Sequence, residues 1–457
     1  MIPSIEYRWT ELHADFTSRV IDFLNSSNIR YFILRNFEKL PEENIGKDID
    51  IVIEPGKYKE TLSGIKKIMH ELNIHYLQIS KFGNMHCLYI MDPNLDFGIH
   101  IDIIENEEYK GYVFFSFDEL YKGTVKYKNL IVLNNPMDIL MLIIQNLVAY
   151  GKLKEKYRIK ISLYYPLYKE SIDEQIRNFW NNELAEYIIK VLDAQNYDAL
   201  ESQVGWIRKD TKRKIFRSKP FATSTKFIKF CGDRFNRIVV CPNKLQRLIA
   251  VVAPDGTGKS TFIDALIVKL SELYVSDPKR FAVHHFRPTI LPNLGEIVQK
   301  SGGAKQDTDF TNPHRAKQAG KLSSFIRMTY YWLDYVIGVP LLTRKEVHYE
   351  RFSIYDRYIY DFLVDPKRSR IDLPEWLRRT FTRMVKQPQI LFVLQADPDI
   401  IYKRKQELEL PEIKRQLGEY KKLENLKNVH FIDANQPVDK MVDDAVKIIL
   451  DKFLIKL

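Results

Sequence analysis

The stretch LIAVVAPDGTGKSTF occupies residues 248–262. Its four apolar residues at 249–252 predict a buried strand, because a short apolar run bounded by turn residues is typical of a sheet interior. A turn with two glycines follows at 253–258, and apolar residues at helical spacing then run from Phe262 to Leu270. A strand, a glycine-rich turn and a helix in this order predict an α/β fold with a parallel sheet for the surrounding chain.

The turn has the chemistry of a phosphate-binding loop. Glycines let backbone N–H groups converge on a phosphate, and the following helix adds the partial positive charge of its N-terminus. Lys259 is predicted to reach the β- and γ-phosphates of ATP, and the Ser260 hydroxyl to bind Mg²⁺. The pattern GxxxxGK[ST] is matched except at Ala253, which stands in place of the first glycine. The alternative is a turn that merely joins a strand to a helix. The predicted nucleotide-binding residues here are Pro254, Asp255, Gly256, Thr257, Gly258, Lys259, Ser260 and Thr261.

The composition is that of a globular chain with several domains. A chain of 457 residues is too long to fold around a single hydrophobic core, and its length suggests about three domains of roughly 150 residues each. No apolar run of about 18 residues is present, and the first residues lack the apolar core of a secretory signal, so a cytoplasmic location is expected. The cysteines lack CxxC spacing, which favours reduced and mostly buried thiols over a zinc site or disulfides. They are Cys87, Cys231 and Cys241.

The positive charge of the chain is concentrated in one segment. The net charge is +11, and between Gly205 and Arg247 thirteen lysines and arginines accompany only two aspartates. The remainder is close to neutral, so nucleic acid is not an expected partner. Two interpretations of this basic connector, residues 206–243, stay open. It is a linker helix that packs an apolar face on a neighbouring domain, or an amphipathic helix that contacts an anionic membrane or an acidic partner. The residues of that face are Phe227, Ile228, Cys231, Phe235 and Ile238.

Two segments of the first third place acidic residues among apolar ones. In Gly46–Ile53, alternation puts Asp48 and Asp50 on one face of a predicted strand and isoleucines on the other. A second predicted strand, residues 98–104, carries Asp102. Neighbouring carboxylates repel unless a cation lies between them, so these three are candidate catalytic residues that bind Mg²⁺ for nucleotidyl transfer. The alternative is that the paired aspartates are solvated charges on an edge strand.

These acidic residues resemble the signature of the nucleotidyltransferase superfamily, in which Gly-x-Asp-x-Asp is followed by a later strand aspartate. The sequence LRNFEKLPEENIGKDIDIVI, at 34–53, is similar to a branch of that superfamily often attached to other enzymes. The superfamily normally has a Gly-Ser turn about ten residues before the paired acids. In this chain Arg35-Asn36 occupies roughly that place. The resemblance implies an α+β domain that retains the metal-binding triad, while triphosphate binding is altered or lost.

The middle of the chain predicts a helical domain. Pro136 lies at the first turn of a strongly apolar helical pattern, and further helical patterns run through 172–181 and 183–200. We expect these helices to pack on the transferase-like domain, where proteins of that kind bind their acceptor.

Two later landmarks carry charge at places where α/β proteins bind ligands. A predicted strand at 352–355 ends in Asp356-Arg357-Tyr358. A carboxylate at the carboxyl end of a strand beside the phosphate-binding loop can hold Mg²⁺, and Arg357 can bind the acceptor's phosphate bidentately. After the next predicted strand, Ala396-Asp397-Pro398 turns into a helix bearing Arg404. On a segment that closes over the nucleotide, this cation would neutralise charge developing during phosphoryl transfer.

Residues 245–457 resemble the thymidylate kinase family. The similar features are the Asp-Gly-x-Gly-Lys-Ser-Thr loop, the Asp-Arg-Tyr strand end, the Asp-Pro turn before an arginine-bearing lid, and a last strand ending Ile-Asp-Ala. The resemblance implies that Lys259, Arg357 and Arg404 contact phosphates. It also implies that Ser260 and Asp356 bind Mg²⁺, and that Ala434-Asn435 lie near the adenine of ATP. Gln395 replaces an acidic residue common in the family, and the polar stretch 301–320 lies where the family recognises its nucleotide. ATP is therefore better supported as a substrate than thymidylate.

We therefore predict a cytoplasmic chain that fuses two enzyme-like parts. The predicted domains are a nucleotidyltransferase-like α+β domain (1–135), a helical domain (136–205), the basic connector (206–243) and a thymidylate-kinase-like P-loop domain (244–457). The predicted activity is ATP- and Mg²⁺-dependent phosphoryl transfer to a small anionic acceptor such as a nucleoside monophosphate or a sugar phosphate. The alternative is a nucleotide-binding regulatory or defence protein with a degenerate nucleotidyltransferase domain. Expected partners are ATP and a small-molecule acceptor, with a homodimer as one option.

Overall fold

The computed structural model describes residues 7–44, 47–240, 242–275, 277–292, 320–406 and 408–457. The described chain forms two compact units. The front unit comprises Tyr7–Phe235 together with Ile455–Leu457, and the rear unit comprises the described part of Asn236–Leu454. The domain boundaries at 135, 205 and 243 stay predictions. Gly46, Cys241 and all of the polar stretch 301–320 except Gly320 lie outside the described residues.

The strands and helices are named here in chain order. The strands are β1 (Tyr31–Ile33), β2 (Asp48–Ile53), β3 (Tyr76–Phe82), β4 (Met85–Asp92), β5 (Phe97–Ile104), β6 (Glu107–Tyr109), β7 (Tyr112–Phe115), β8 (Thr124–Tyr127), β9 (Leu130–Leu133), β10 (Arg247–Val252), β11 (Phe281–His285), β12 (Phe352–Asp356), β13 (Ile390–Gln395), β14 (Val429–Asp433) and β15 (Ile455–Lys456). The helices are α1 (Glu11–Ser26), α2 (Tyr58–Glu71), α3 (Phe117–Tyr121), α4 (Asn135–Ile144), α5 (Glu155–Tyr164), α6 (Lys169–Phe179), α7 (Asn182–Asp193), α8 (Tyr197–Ser202), α9 (Val204–Ser218), α10 (Pro220–Phe235), α11 (Pro242–Leu245), α12 (Lys259–Leu273), α13 (Lys321–Leu342), α14 (Arg344–His348), α15 (Asp361–Val364), α16 (Glu375–Arg383), α17 (Pro398–Arg404), α18 (Leu410–Lys421) and α19 (Val438–Phe453).

The front unit is organised around a mixed sheet in the order β15-β3-β4-β5-β2-β1-β9-β8. Strand β2 lies in its interior, parallel to β5 and antiparallel to β1. Asp48 and Asp50 therefore do not lie on an edge strand. The alternation predicted for β2 is present: Ile49, Ile51 and Ile53 join the buried cluster formed with α1 and α2, while the aspartates point to the opposite face.

The helices of the middle region, α4 to α9, pack around an apolar core of their own and belong to the front unit. Helix α4 begins beside Pro136, as predicted, and continues into a π-helical turn at Gln145–Tyr150. The predicted helix at 183–200 is divided into α7 and α8, because Asn196 caps a new helix.

The basic connector is helical, but most of its predicted apolar face is not covered. Helix α9 is tied to the front unit by the Trp180 indole, which donates to Thr211 Oγ1 at 2.8 Å. In α10, the side chains of Ile228 and Phe235 are exposed, and Cys231 is exposed as well. The expectation of mostly buried thiols is therefore wrong for Cys231, whereas Cys87 is buried. Among the helices of the described ranges, none is both long enough and apolar enough to cross a membrane.

The rear unit is an α/β structure with a five-stranded parallel sheet in the order β11-β12-β10-β13-β14. Strand β10 lies at the centre, and all of its residues are buried, as the apolar run predicts. The chain leaves β10 for the far edge at β11, comes back to β12 beside β10, and then crosses to β13 on the other side of β10. At such a reversal of winding, open α/β sheets form a ligand-binding crevice at the carboxyl ends of the strands, which here are those of β10 and its neighbours.

Candidate functional site

The turn between β10 and α12 has backbone geometry that requires glycine. Gly256 and Gly258 have φ angles of 87° and 94°, in the left-handed region. A Cβ atom added to Gly256 would also lie 3.0 Å from Cβ of Lys405. The Thr257 hydroxyl donates to the Pro254 carbonyl at 2.9 Å and closes the turn. Ala253 is not among the described residues with positive φ, so this position does not require a glycine.

The first residue of α12, Lys259, is buried and forms an ion pair with Asp356 at the end of β12. The pair forms because β10 and β12 are adjacent parallel strands, with Val251 opposite Asp356. The second carboxylate oxygen of Asp356 lies 3.3 Å from Nδ1 of the exposed His285, at the end of β11. Three neighbouring elements thus bring their charged groups to one edge of the sheet. Ser260, which follows Lys259, has an exposed side chain in the first turn of α12.

Arg357 is held in a left-handed conformation, with φ 70°, and its amide donates to the Val251 carbonyl at 2.9 Å. Its guanidinium pairs with Asp255 in the turn and, at 2.6 Å, with Asp361. Burial lowers the pKa of Arg357, but the carboxylates of Asp361 and Asp255 raise it above its ordinary value overall. An acceptor phosphate would therefore have to compete with two carboxylates for this side chain.

Arg368 was not identified from the sequence, yet it lies beside the same turn. Its guanidinium contacts the other oxygen of Asp255 at 2.5 Å, and its side chain is 30% exposed. Burial raises the pKa of Asp255, but Arg357 and Arg368 lower it below its usual value. Arg368 is the more accessible of the two cations, and no sequence spacing relates it to residue 255.

The remaining candidates of the rear unit lie at the ends of β13 and β14 and in the helices α12 and α17. The Asn435 side-chain carbonyl accepts from the Asp397 amide at 2.9 Å, and the buried Ala434 donates its amide to the Gln395 carbonyl at 2.7 Å. The ends of β13 and β14 are therefore joined where the resemblance expects adenine. Arg404, the last residue of α17, is exposed and forms no ion pair with any residue in the described ranges. The exposed Thr261 lies in the first turn of α12.

A buried aspartate fixes the segment that follows β11. Asp334 on α13 is fully buried and accepts hydrogen bonds from the amides of Thr289, Ile290 and Leu291 at 3.1, 2.9 and 3.0 Å. Arg287 lies 3.2 Å from the same carboxylate. Three amide donors and one cation satisfy a carboxylate that would otherwise be costly to bury.

In the front unit, the structure brings together the three carboxylates expected from the sequence. In the β2–β5 register Asp50 lies opposite Asp102, and Asp48 precedes Asp50 on the same face. Oxygen atoms of Asp48, Asp50 and Asp102 all lie within 4.8 Å of one another. Carboxylate oxygens are the ligands that Mg²⁺ prefers, so the donor set fits that ion chemically.

An arginine already occupies part of this cluster. Arg35 Nε donates to the buried Asp50 at 2.5 Å, and Arg35 Nη1 lies 3.2 Å from the side-chain oxygen of Gln145. Burial raises the pKa of Asp50 to about 6, although Arg35 acts in the opposite direction. Arg35 lies where the resemblance described for the sequence would place a Gly-Ser turn. It supplies a fixed positive charge with which any metal ion must compete for Asp50.

Glu107 extends this network and was missed from the sequence. Gln145 Nε2 donates to one oxygen of Glu107 at 2.6 Å, while the other oxygen is buried without a hydrogen-bond partner in the described structure. Burial raises the pKa of Glu107 to about 7. The carboxyl is thus partly protonated near neutral pH. A single glutamate at the start of a short hairpin carries no spacing signal that would have revealed it.

Comparison with known proteins gives limited information. No protein-family model matches the chain, and no curated protein matches it significantly. Solved structures do match, among them the crystal structure of thymidylate kinase from Ehrlichia chaffeensis, which is 16% identical. That match covers 44% of this chain and 98% of that chain, with a TM-score of 0.31. A similarity at this level does not establish a shared function.

Glu107 makes the stability of the front unit dependent on pH. A carboxyl whose pKa is raised by folding stabilises the folded state below its unfolded value of 4.5, and this contribution is lost as the pH rises through about 7. Each unit of raised pKa corresponds to about 1.4 kcal/mol. We expect wild-type protein to lose more stability between about pH 5 and pH 8 than Glu107→Gln. Urea unfolding at both pH values measures this difference, with the exposed Glu42→Gln as control. Parallel profiles for wild type and Glu107→Gln would contradict the assignment.

Proposed function

We propose that the rear unit is an ATP-dependent phosphotransferase that acts on a small anionic acceptor, such as a nucleoside monophosphate or a sugar phosphate. The observation that carries this proposal is the turn at 253–258. Two left-handed glycines there lead from the central strand into α12, and Lys259 follows beside Asp356. A backbone of this kind directs amide donors and a helix N-terminus at one point, which suits a polyphosphate.

The charges of this site have complementary roles in the proposal. Lys259 would stabilise the negative charge of the β- and γ-phosphates, while Ser260 and Asp356 offer oxygen ligands for Mg²⁺. The ion would supply charge neutralisation at the transferred phosphoryl group. Before nucleotide binds, the ion pair between Lys259 and Asp356 keeps both side chains at the crevice. Binding of ATP with its metal gives each of them a new partner of opposite charge.

The acceptor is proposed to be anionic because of the cations around Asp255. Arg357 and Arg368 converge on this carboxylate, and a phosphate offers the same two-oxygen geometry to a guanidinium. Arg404 would add positive charge from α17. A base or sugar could contact the aromatic residues of α13, where Tyr331 stacks with Arg287 at 4.6 Å. The alternative is nucleotide binding without turnover, which would use the same phosphate contacts.

For the front unit, we propose metal-dependent nucleotidyl transfer as a second candidate function. The three clustered carboxylates of Asp48, Asp50 and Asp102 support it. The ion pair of Asp50 with Arg35 favours instead a degenerate domain that binds without turnover. The two candidates differ in whether a divalent cation enters the cluster.

Replacing Lys259 is expected to weaken ATP binding. Lys259→Ala removes a charged contact worth on the order of 1.5–3 kcal/mol, so ATP–Mg²⁺ should bind about 10- to 100-fold more weakly. Isothermal titration calorimetry of the full chain measures the change, and the exposed Lys279→Ala is the control. Equal affinities of wild type and Lys259→Ala would refute the phosphate-binding assignment.

A second test concerns the acceptor. With radiolabelled ATP, we expect nucleoside monophosphates or sugar phosphates to be phosphorylated in preference to free nucleosides and neutral sugars. Arg357→Lys should lower kcat/KM on an anionic acceptor by about tenfold or more, since a lysine cannot form the bidentate contact. Arg379→Lys, which changes a half-buried arginine of α16 that pairs with Glu375, is the matched control. Turnover of neutral acceptors alone would overturn this part of the proposal.

The front-unit candidate predicts stabilisation by a divalent cation. An ion that binds only the folded state stabilises it by about 2.7 kcal/mol at a concentration one hundred times its Kd. Mg²⁺ or Mn²⁺ should therefore raise the unfolding temperature of the wild-type chain. Asp48→Asn should reduce the shift, while the exposed Glu42→Gln should keep it. If neither ion affects the wild type, the carboxylate cluster is not a metal site.

A further inference from the structure

A second set of side chains that could bind a metal lies next to the carboxylate cluster, on strands β4 and β5. Cys87 of β4 lies directly opposite Asp102 of β5 in the antiparallel register. His100 precedes Asp102 by two residues and therefore lies on the same face of the sheet. Ligand atoms of Cys87, His100 and Asp102 all lie within 4.8 Å of one another. Two rigid, hydrogen-bonded strands thus hold a sulfur, a nitrogen and an oxygen donor together.

We propose that Cys87, His100 and Asp102 bind a single transition-metal ion of borderline softness, of which Zn²⁺ is the representative. One thiolate, one imidazole and one carboxylate are ligands that this class of ion accepts, and a fourth tetrahedral position would stay open to water or a substrate group. The site differs from the magnesium cluster in its chemistry, because a thiolate is a poor ligand for Mg²⁺.

The distances suit such an ion. His100 Nε2 and Asp102 Oδ1 are 3.0 Å apart. Two ligands that each lie about 2.0–2.1 Å from a tetrahedral zinc are separated by about 3.3 Å, so only a small displacement is needed. The imidazole is also fixed in orientation, since it stacks on Tyr89 with ring centroids 4.2 Å apart and planes inclined by 10°. Restrained ligands bind a metal ion with less loss of conformational freedom.

The burial of these side chains favours binding of a cation. The Cys87 thiol is 5% exposed, and Asp102 is 7% exposed. A buried carboxylate costs free energy unless a positive charge or several donors compensate it. His100 and Cys87 already contact this carboxylate, and a divalent ion would compensate the carboxylate and a thiolate together. Binding would release the thiol proton to solvent.

The proposal does not depend on nucleotidyl transfer. Asp102 is shared by both sets of ligands, but Asp48 and Asp50 supply no ligand atom to the sulfur-containing site. Substitution of Asp48 therefore removes a ligand of the magnesium site only, and substitution of Cys87 removes a ligand of the thiolate site only. The failure of one proposal can be distinguished from the failure of the other.

The test uses Co²⁺ as the probe, because a cobalt–thiolate bond gives a charge-transfer absorption in the near ultraviolet. Full-length protein freed of metal with a chelator is titrated with Co²⁺ under reducing conditions. We expect one equivalent of Co²⁺ to produce this band and Zn²⁺ to abolish it by displacement. Cys87→Ser should not show the band, whereas Cys231→Ser, which alters an exposed cysteine, should show it unchanged. The absence of the band from the wild type, or its persistence in Cys87→Ser, would overturn the proposal.

Two further variants distinguish a metal site from an alternative in which the thiol, the imidazole and the carboxylate only form hydrogen bonds with one another. His100→Gln keeps the sulfur ligand and should weaken Co²⁺ binding about tenfold or more, with a shifted visible spectrum. Asp48→Asn removes no ligand of this site and should keep the thiolate band. Equal Co²⁺ affinities of His100→Gln and wild type would show that the imidazole is not a ligand and would contradict the proposed site.

Discussion

The parallel pairing of β10 with β12 is the constraint on which the rear unit depends. It places Val251 opposite Asp356, so the turn that leaves β10 and the carboxylate that ends β12 meet at one edge of the sheet. The left-handed glycines direct the chain into α12, so Lys259, its first residue, lies at the same edge. The ion pair at this edge is a consequence of strand register and turn geometry. Neither element alone would assemble the crevice.

Both candidate sites hold an internal cation against a buried carboxylate. In the front unit Arg35 contacts Asp50, and in the rear unit Arg357 contacts Asp255 and Asp361. Such pairs compensate the cost of burying charge, since an unpaired carboxylate in the same place would be unfavourable. They also set a threshold for ligands, because a phosphate or a metal ion must offer more than the existing partner. Local pairing of charge thus has consequences for selectivity in each unit.

Local patterns in the sequence predicted local structure well, and long-range partners poorly. The apolar run at 249–252 and the alternation in β2 gave the correct strands, because a side chain's periodicity depends only on its own backbone. The clustering of Asp48, Asp50 and Asp102 also followed, since two such strands belong to one sheet. The pairing of Arg357 and Arg368 with Asp255 could not be foreseen in the same way. Arg368 reaches Asp255 from over a hundred positions away, and only the folded chain brings them together.

Cys87 illustrates a kind of metal site that the spacing of residues in the sequence does not reveal. Zinc sites are read from sequences as short Cys–Cys or Cys–His intervals, which describe ligands carried on turns and helices. Cys87 and Asp102 have no such interval, because their proximity arises from the register of two antiparallel strands. In a pair of antiparallel strands, two ligands that face each other are separated in sequence by the strand residues that lead from each ligand to the turn, plus the turn itself. A donor set assembled across a sheet is therefore invisible to motif patterns, yet it is as well positioned as one assembled on a turn. Strand β5 lies between β4 and β2. Asp102 therefore faces Cys87 of β4 on one side and Asp50 of β2 on the other. This single carboxylate thus links hard oxygen donors to softer ones in the centre of the front sheet.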